Sequence, residues 1–376
     1  MPKIRNIIFI LLLVAAFLHF YGDTFNQSGF PGVYNEIQSD VNAIKENPRV
    51  ISTVESFNTE LQQLINSVKG DSEDSENVEE SVPDDPALDE PTEQPFSIHN
   101  VEIGDDRSKV EAQVGEPKRS SMNEYKVNWV AYHEDYHNFF MAAYNEENKV
   151  IGLYTNQNLL TSTKDISFES TRDSVLNVLN DPLESIKKGL ISYQVQQNQE
   201  YDIFLINDNY VTIFYDKHED STVTAIQIIS DEMEQKREKY FGEASDALKE
   251  GFEYQLFDLT NAARVEHGLS VLSWEESVRT TARDHSLDMA ENNYFSHTNL
   301  EGQSPFDRMT EDNISYTMAG ENLAAGQPSS IFSHEGLMNS LGHRENILKT
   351  EFESLAVGVA FNEDSQPYYT ENFITK

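Results

Sequence analysis

The sequence predicts an α+β protein in which a β-rich region precedes a helical one that closes on strands. Three observations carry this. Residues 96–230 hold short aromatic, alternating runs separated by turn-rich pieces such as "YNEENK" and "DKHEDST", the pattern of antiparallel strands. From Leu248 onward, apolar residues recur at three- and four-residue spacing (Phe252, Leu256, Leu259, Ala263), as on one face of a helix. The chain then ends in two apolar and aromatic runs, "LAVGVAF" and "PYYTENFIT", which read as strands.

The elements follow in order. Lys3 and Arg5 precede the run "IIFILLLVAAFLHFYG", a basic start and an apolar core of the kind found in export signals. With Phe17, Phe20 and Tyr21 at its outer edge, the run approaches the roughly 20 residues of a spanning helix. No small-x-small cleavage site stands near Gly22, so residues 1–24 read either as a signal peptide or as an uncleaved membrane anchor. Both readings put the bulk of the chain outside the cytoplasmic membrane, secreted or at the cell surface. Ile37, Val41 and Ile44, then Val54, Leu61, Leu64 and Val68 beyond Pro48, mark residues 25–70 as an amphipathic helical stalk. Residues 71–95, "DSEDSENVEESVPDDPALDEPTEQP", carry many acids, no base and little apolar surface, and read as a disordered, charge-extended linker.

A net charge of −38 makes nucleic acid and anionic membrane surfaces poor partners. The absence of cysteine excludes disulfides, thiolate zinc sites and a cysteine nucleophile.

Residues 96–232 read as a β-rich repeat domain. "DRSKVEAQVGEPKRS" (106–120) echoes "TRDSVLNVLNDPLES" (171–185), each copy a short helix ended by a proline turn and followed by strands. His133, His137 and His218 stand beside acids at strand ends or turns. They read as exposed polar positions, with a metal pair of His133 and His137 as the alternative, since nothing fixes a third ligand.

Residues 245–376 form the last domain. Gly268 suits the C-cap of its first helix. Ser273 with Glu276 fits a capping box opening a second helix over 274–292. His285 shares a face there with Val278, Ala282 and Met289, which reads as a packed core histidine. "YTMAGENLAAG" reads as a small-residue loop carrying Glu321, and "EGLMNS" as a further helix. No serine sits in a nucleophile elbow: Ser340, three residues before His343, lacks both the elbow glycines and an orienting acid.

The pieces "LTNAARVEHGLSVLSW", "ARDHSLDMAENNYFSH", "SPFDRM", "AGENLAAG", "LMNSLGHRENIL", "VGVAF" and "YTENF", in that order, resemble the CAP superfamily (cysteine-rich secretory proteins, antigen 5, pathogenesis-related 1) in a cysteine-free bacterial form. The resemblance covers essentially the whole final domain. Residues 96–232 resemble the module that precedes CAP domains in exported proteins of bacilli. The implied fold for 245–376 is a three-layer α-β-α sandwich with a surface cleft. The implied cleft residues are His297 in "YFSH", Glu321 in "GEN" and His343 in "GHR". For the second glutamate of the family tetrad the nearest residue is Glu335, in a shifted register, with Leu337 where the family has tryptophan. Asn261 and Arg264 ("NxxR") and Asn322 match scaffold positions.

Two imidazoles and a carboxylate suit zinc or a similar divalent cation, and leave a coordination position open. The functional expectation is an exported, non-enzymatic module at the cell envelope that binds a ligand or cation, its partner an envelope component or protein, with the membrane as a further partner if the N-terminal segment stays uncleaved. The alternative is a metal-dependent hydrolase of a peptide or wall polymer, with Glu321 the candidate catalytic group. A third expectation is that residues 96–230 shield the cleft.

Overall fold

The computed structural model describes residue 83 and residues 85–188, 191–195 and 199–376. The expected export segment and stalk lie outside the described residues, as do residues 71–82 and 84 of the acidic segment. From Ala87 to Gln94 that segment is held, not free. The Glu102 carboxylate accepts the backbone N–H groups of Thr92, Glu93 and Gln94 at 2.6–2.8 Å. Asn100 accepts from Asp89 N–H and donates to Ala87 O. A polar segment without a core of its own is ordered here because its backbone donors find acceptors on the adjoining turn.

The first half of the described chain is β-rich. One antiparallel sheet has the order β2 (Arg119–Met122), β3 (Asn128–Glu134), β4 (His137–Tyr144), β5 (Val150–Thr155), β11 (Thr222–Ser230), β10 (Asn209–Asp216), β9 (Tyr201–Ile206). Two small pairs accompany it, β1 (Phe96–Ile98) with β6 (Leu160–Ser162), and β7 (Ser185–Lys188) with β8 (Ile191–Gln194). The sequence echo falls on two helices, α1 (Arg107–Val114) and α2 (Arg172–Leu179). Each ends on a residue at positive φ, Gly115 at 84° and Asn180 at 67°, where the chain must turn away. Each contributes one buried valine, Val110 or Val175, to the same core. The strands after α1 and after α2 meet at mid-sheet, β5 against β11, with Gly152 opposite Ile229.

The second half begins at α4 (Asp246–Glu266), after a short helix α3 (Asp231–Lys236). Ser245 caps α4 by accepting from Leu248 N–H; its C-cap is His267, and Gly268, expected as the cap, follows it at φ 69° and turns the chain out. The next helix, α5, spans Glu276–Asn292, and its N-cap is Glu275, whose side chain accepts from Ser277 N–H. Ser273 is therefore not the cap. It belongs to strand β12 (Ser273–Trp274), drawn into parallel pairing with β14 (Ser354–Phe361), and ladder bonds outcompete the local capping box. Then come α6 (Pro305–Glu311), β13 (Met318–Ala325), α7 (Ser330–Met338), α8 (Leu341–Ile347), β14 and β15 (Pro367–Thr375).

The run expected to be a small-residue loop around Glu321 is strand β13. It pairs with β15 from Met318↔Thr375 to Ala325↔Tyr368. Alanine and glycine carry little strand preference of their own, so the partner strand decides. Gly320 suits the close packing there: a Cβ would stand 2.8 Å from the Phe352 ring.

The sheet order is β12-β14-β15-β13. Strand alternation places a helix on each face. Leu355, Val357 and Val359 join the cluster of Leu248, Phe252 and Leu256 from α4. Ala356 packs with Val278 of α5, Ala360 with Met289, and at Gly358 a Cβ would lie 2.2 Å from α5 backbone.

The two halves share a core. Leu259 and Ala262 of α4 and Ile331 of α7 are buried with Trp129, Phe139 and Tyr154 of the large sheet. Polar bonds cross the same seam. Asp258 accepts from Arg119 Nε at 2.8 Å and from Tyr136 Oη at 2.9 Å. Gln157 Nε2 donates to Ala262 O at 2.9 Å, and Asn339 Nδ2 donates to Tyr215 O at 2.9 Å. The described residues after 82 accordingly belong to one compact unit.

Candidate functional site

Strand β13 sets the geometry. Because side chains alternate, Glu321 and Leu323 face α5, while Asn322 and Ala324 face α4. Glu321 is buried and both of its oxygens are engaged. Oε1 accepts from His297 Nδ1 at 2.9 Å, and Oε2 accepts from Arg308 Nη2 at 2.7 Å. Arg308 reaches this position from α6, whose start is set by a capping box between Ser304 and Asp307. The same guanidinium donates from Nη1 to His297 O at 2.8 Å and Gln303 O at 3.1 Å, so it holds the histidine loop as well as the carboxylate.

A carboxylate only accepts, so His297 donates from Nδ1, and Nε2 is the nitrogen left for a ligand. Its side chain is 53% exposed. A buried carboxylate behind an exposed imidazole is the arrangement that orients a metal-ligating histidine.

Asn322, on the opposite face, ties the third residue in. Its Nδ2 donates to His343 O at 3.2 Å and to Glu371 Oε2 at 3.0 Å, and its Oδ1 accepts from Asn346 at 2.9 Å. His343 thus stands on α8, clamped through its own carbonyl. Its imidazole is half-buried, and Nδ1 has no partner. Burial, and then the nearby His297, hold its pKa below the ordinary value, so it is neutral and able to ligate.

Asn261 and Arg264 act where the sequence places them, as scaffold. Asn261 exchanges two hydrogen bonds with Leu272 backbone, and Arg264 donates to Ser270 O, Ile347 O and Lys349 O. His285 is buried on α5 with Nε2 3.0 Å from Ser296 O, a packed histidine beneath the cluster.

Glu335 is not part of this group. It projects from α7 to the seam between the halves, where its Oε1 accepts from Tyr154 Oη at 2.7 Å. Burial pushes its carboxyl up to about 7. The shifted register is the physical reason: Glu335 lies on the α7 face turned toward β5. His133 stacks on Tyr136, accepts from Tyr136 N–H, and burial holds its pKa down at about 4. Among the described residues, no three His, Asp or Glu side chains are grouped so as to hold a metal ion. The side-chain partners of His297, Glu321 and Arg308 all come from residues 297–321. Residues 96–230 lie along α4 and α7, and Asp216 and Glu219 pair there with Arg344, the residue after His343.

Sequence reasoning missed Arg308, although "SPFDRM" was in view. The available signal was a basic residue one turn into a capped helix beside the "YFSH" loop. It also missed Asn346 and Glu371, which have no signal short of the strand register. Asn372 stands opposite Glu321 in the ladder, buried, with neither Oδ1 nor Nδ2 partnered.

The donor set is thus two imidazoles, of which His297 is oriented by Glu321 and His343 is held through its backbone, with no further acid converging among the described residues. Such a pair fits a divalent cation that keeps solvent or ligand in its remaining positions.

Residues 103–240 match the CAP-associated N-terminal family, and residues 257–373 match the cysteine-rich secretory protein family, CAP. The uncharacterized membrane protein YlbC of Bacillus subtilis (strain 168) is 30% identical over 293 residues, which cover 73% of this chain and 82% of that one. The uncharacterized protein YkwD of the same organism is 41% identical over 125 residues, 33% of this chain and 48% of that one. Among solved structures, an extracellular protein containing an SCP domain from Bacillus anthracis str. Ames superposes with a TM-score of 0.62 at 25% identity, over 81% of this chain and all of that one. A cysteine-rich secretory protein from Staphylococcus aureus shares the fold at a TM-score of 0.56 and 16% identity, over 76% of this chain and 95% of that one.

Proposed function

The chain belongs to the cysteine-rich secretory protein (CAP) family, with the CAP-associated module ahead of the CAP domain, and from that premise we propose that it is a cation- and ligand-binding module of the cell envelope. The observation that carries this reading is the pairing of His297 Nδ1 with a buried Glu321, itself locked by Arg308, beside a neutral His343 whose Nδ1 lacks a partner. His297 through Nε2 and the imidazole of His343 are the groups a zinc-like cation would take. With both oxygens spent, Glu321 orients and does not ligate or move a proton. The geometry therefore supports binding better than turnover. The envelope location rests on the names of the relatives, one an extracellular protein and one a membrane protein.

Zinc titration of the full chain tests this. One zinc is expected per chain, with binding lost in the His297→Ala/His343→Ala variant. Glu321→Gln is expected to weaken affinity about 10- to 100-fold, as loss of an orienting carboxylate does. Equal zinc binding by wild type and the double variant would overturn the reading.

A further inference from the structure

The seam between the two halves is not filled. A cavity of about 340 Å³ opens among the ends of β5 and β10, β11, the last turn of α4 and one face of α7. It shares no residue with the His297–Glu321 cluster. One water needs only about 10–15 Å³ by the same measure, so the space suits a ligand of several heavy atoms.

Its charge is one-sided. Five carboxylates line it: Glu335 and Asp216 on the floor, and Glu169, Glu219 and Glu266 around the exposed rim. Arg344, beside them, is committed to Asp216 at 2.7 Å and Glu219 at 3.5 Å. His334 adds no positive charge, because burial holds its pKa down at about 3.

A second observation is independent of charge. Two buried polar side chains on the floor have atoms without partners. Asn156 is 6% exposed, and its Nδ2 donates to Leu259 O at 3.2 Å, which leaves Oδ1 as an acceptor with no donor. His334 is 1% exposed, and its Nδ1 has no partner. Buried polar atoms in a native interior are paired with protein, solvent or ligand. The rest of the wall is apolar: Phe168, Val223, Ala263 and Met338.

Surplus negative charge, an acceptor without a donor and an apolar flank call for one complement. An ammonium group offers three donors, no acceptor and a positive charge, and an alkyl stem covers the apolar wall. A bare metal ion fits less well, since no three carboxylates or imidazoles among the described residues are grouped to hold one. We propose that the seam cavity binds an organic cation, an alkyl chain bearing a primary ammonium, held between Asn156 of the β-rich half and Glu335 of the CAP half. The ligand bridges the two halves. The site is separate from the histidine cleft and does not rest on the reading of that cleft.

Calorimetric titration of the full chain with cadaverine, and with 1,5-pentanediol as its uncharged counterpart, tests the proposal. One cadaverine is expected per chain, with no saturable uptake of the diol. Asn156→Leu and Glu335→Gln are each expected to weaken cadaverine binding at least tenfold while zinc binding at His297 and His343 is unchanged. Should Glu335→Gln fail to fold, Glu266→Gln on the exposed rim is expected to weaken binding severalfold. No cadaverine binding at millimolar concentration, equal binding of the diol, or unchanged affinity in the folded variants would overturn it.

Discussion

The bond between Tyr154 and Glu335 yields a prediction whose size depends on pH. Both side chains are buried, and the phenol donates to the carboxyl at 2.7 Å across the seam. Burial raises the Glu335 pKa from an ordinary 4.5 to about 7, and the Tyr154 hydrogen bond pulls it partly back. The folded pKa lies above the unfolded one. The stability this group supports is therefore complete below pH 4.5 and is lost as pH rises through 7. Tyr154→Phe removes the restraining hydrogen bond, so the folded pKa climbs further and the loss extends to higher pH. At pH 5.5 the carboxyl is neutral and the deleted bond is worth about 1 kcal/mol. At pH 8 the bond is charge-assisted, and its loss costs about 1.5–3 kcal/mol. Urea unfolding of wild type, Tyr154→Phe, Glu335→Gln and the double variant at both pH values measures this. A coupling energy of about 1 kcal/mol or more is expected at pH 8. Equal destabilisation at both pH values, or additivity within about 0.5 kcal/mol at pH 8, would refute the reasoning.

Three further outcomes follow. Arg308→Ala leaves the buried Glu321 carboxylate without its guanidinium, and is expected to cost about 3–5 kcal/mol in denaturant unfolding. Gly358→Ala would set a methyl 2.2 Å from the α5 backbone, and is expected to destabilise by about 3 kcal/mol or more, read as a lowered urea midpoint. Burial raises Glu124, Glu335 and Glu371 alike to about 7, so each gives a slope of stability that falls between pH 5 and pH 7.5, worth up to about 3 kcal/mol, while His133 and His334, held low by burial, act in the opposite sense. Glu371→Gln should flatten that slope, and an unchanged slope would remove Glu371 from the account.

The fold was legible wherever periodicity and capping agreed. Helix α4 announces itself by its apolar face and closing glycine, β14 by an unbroken apolar run and β15 by its aromatic residues. Strand β13 does not, because its small residues take their conformation from β15. Within the candidate site, His297, Glu321 and His343 came from family motifs, since no spacing relates residues 297, 321 and 343. Glu335 was drawn to the cleft by its place along the chain, and its register on α7 turns it to Tyr154 instead. The seam was invisible for a plainer reason. Asp258 and Tyr136, which hold it, stand 122 residues apart, and nothing local to either signals the other.

The close approach of α4 to β2 has a consequence for the intact chain. Gly251 lies so near Met122 that a Cβ would be 2.0 Å from its carbonyl oxygen, and Gln255 donates to that same carbonyl. Backbone meets backbone there, inside a core that both halves supply. The covalent link between α3 and α4 is thus not what keeps the halves together. A protease that cut this connector would release no free CAP domain. It would leave a nicked protein whose two pieces travel as one until denaturant parts them.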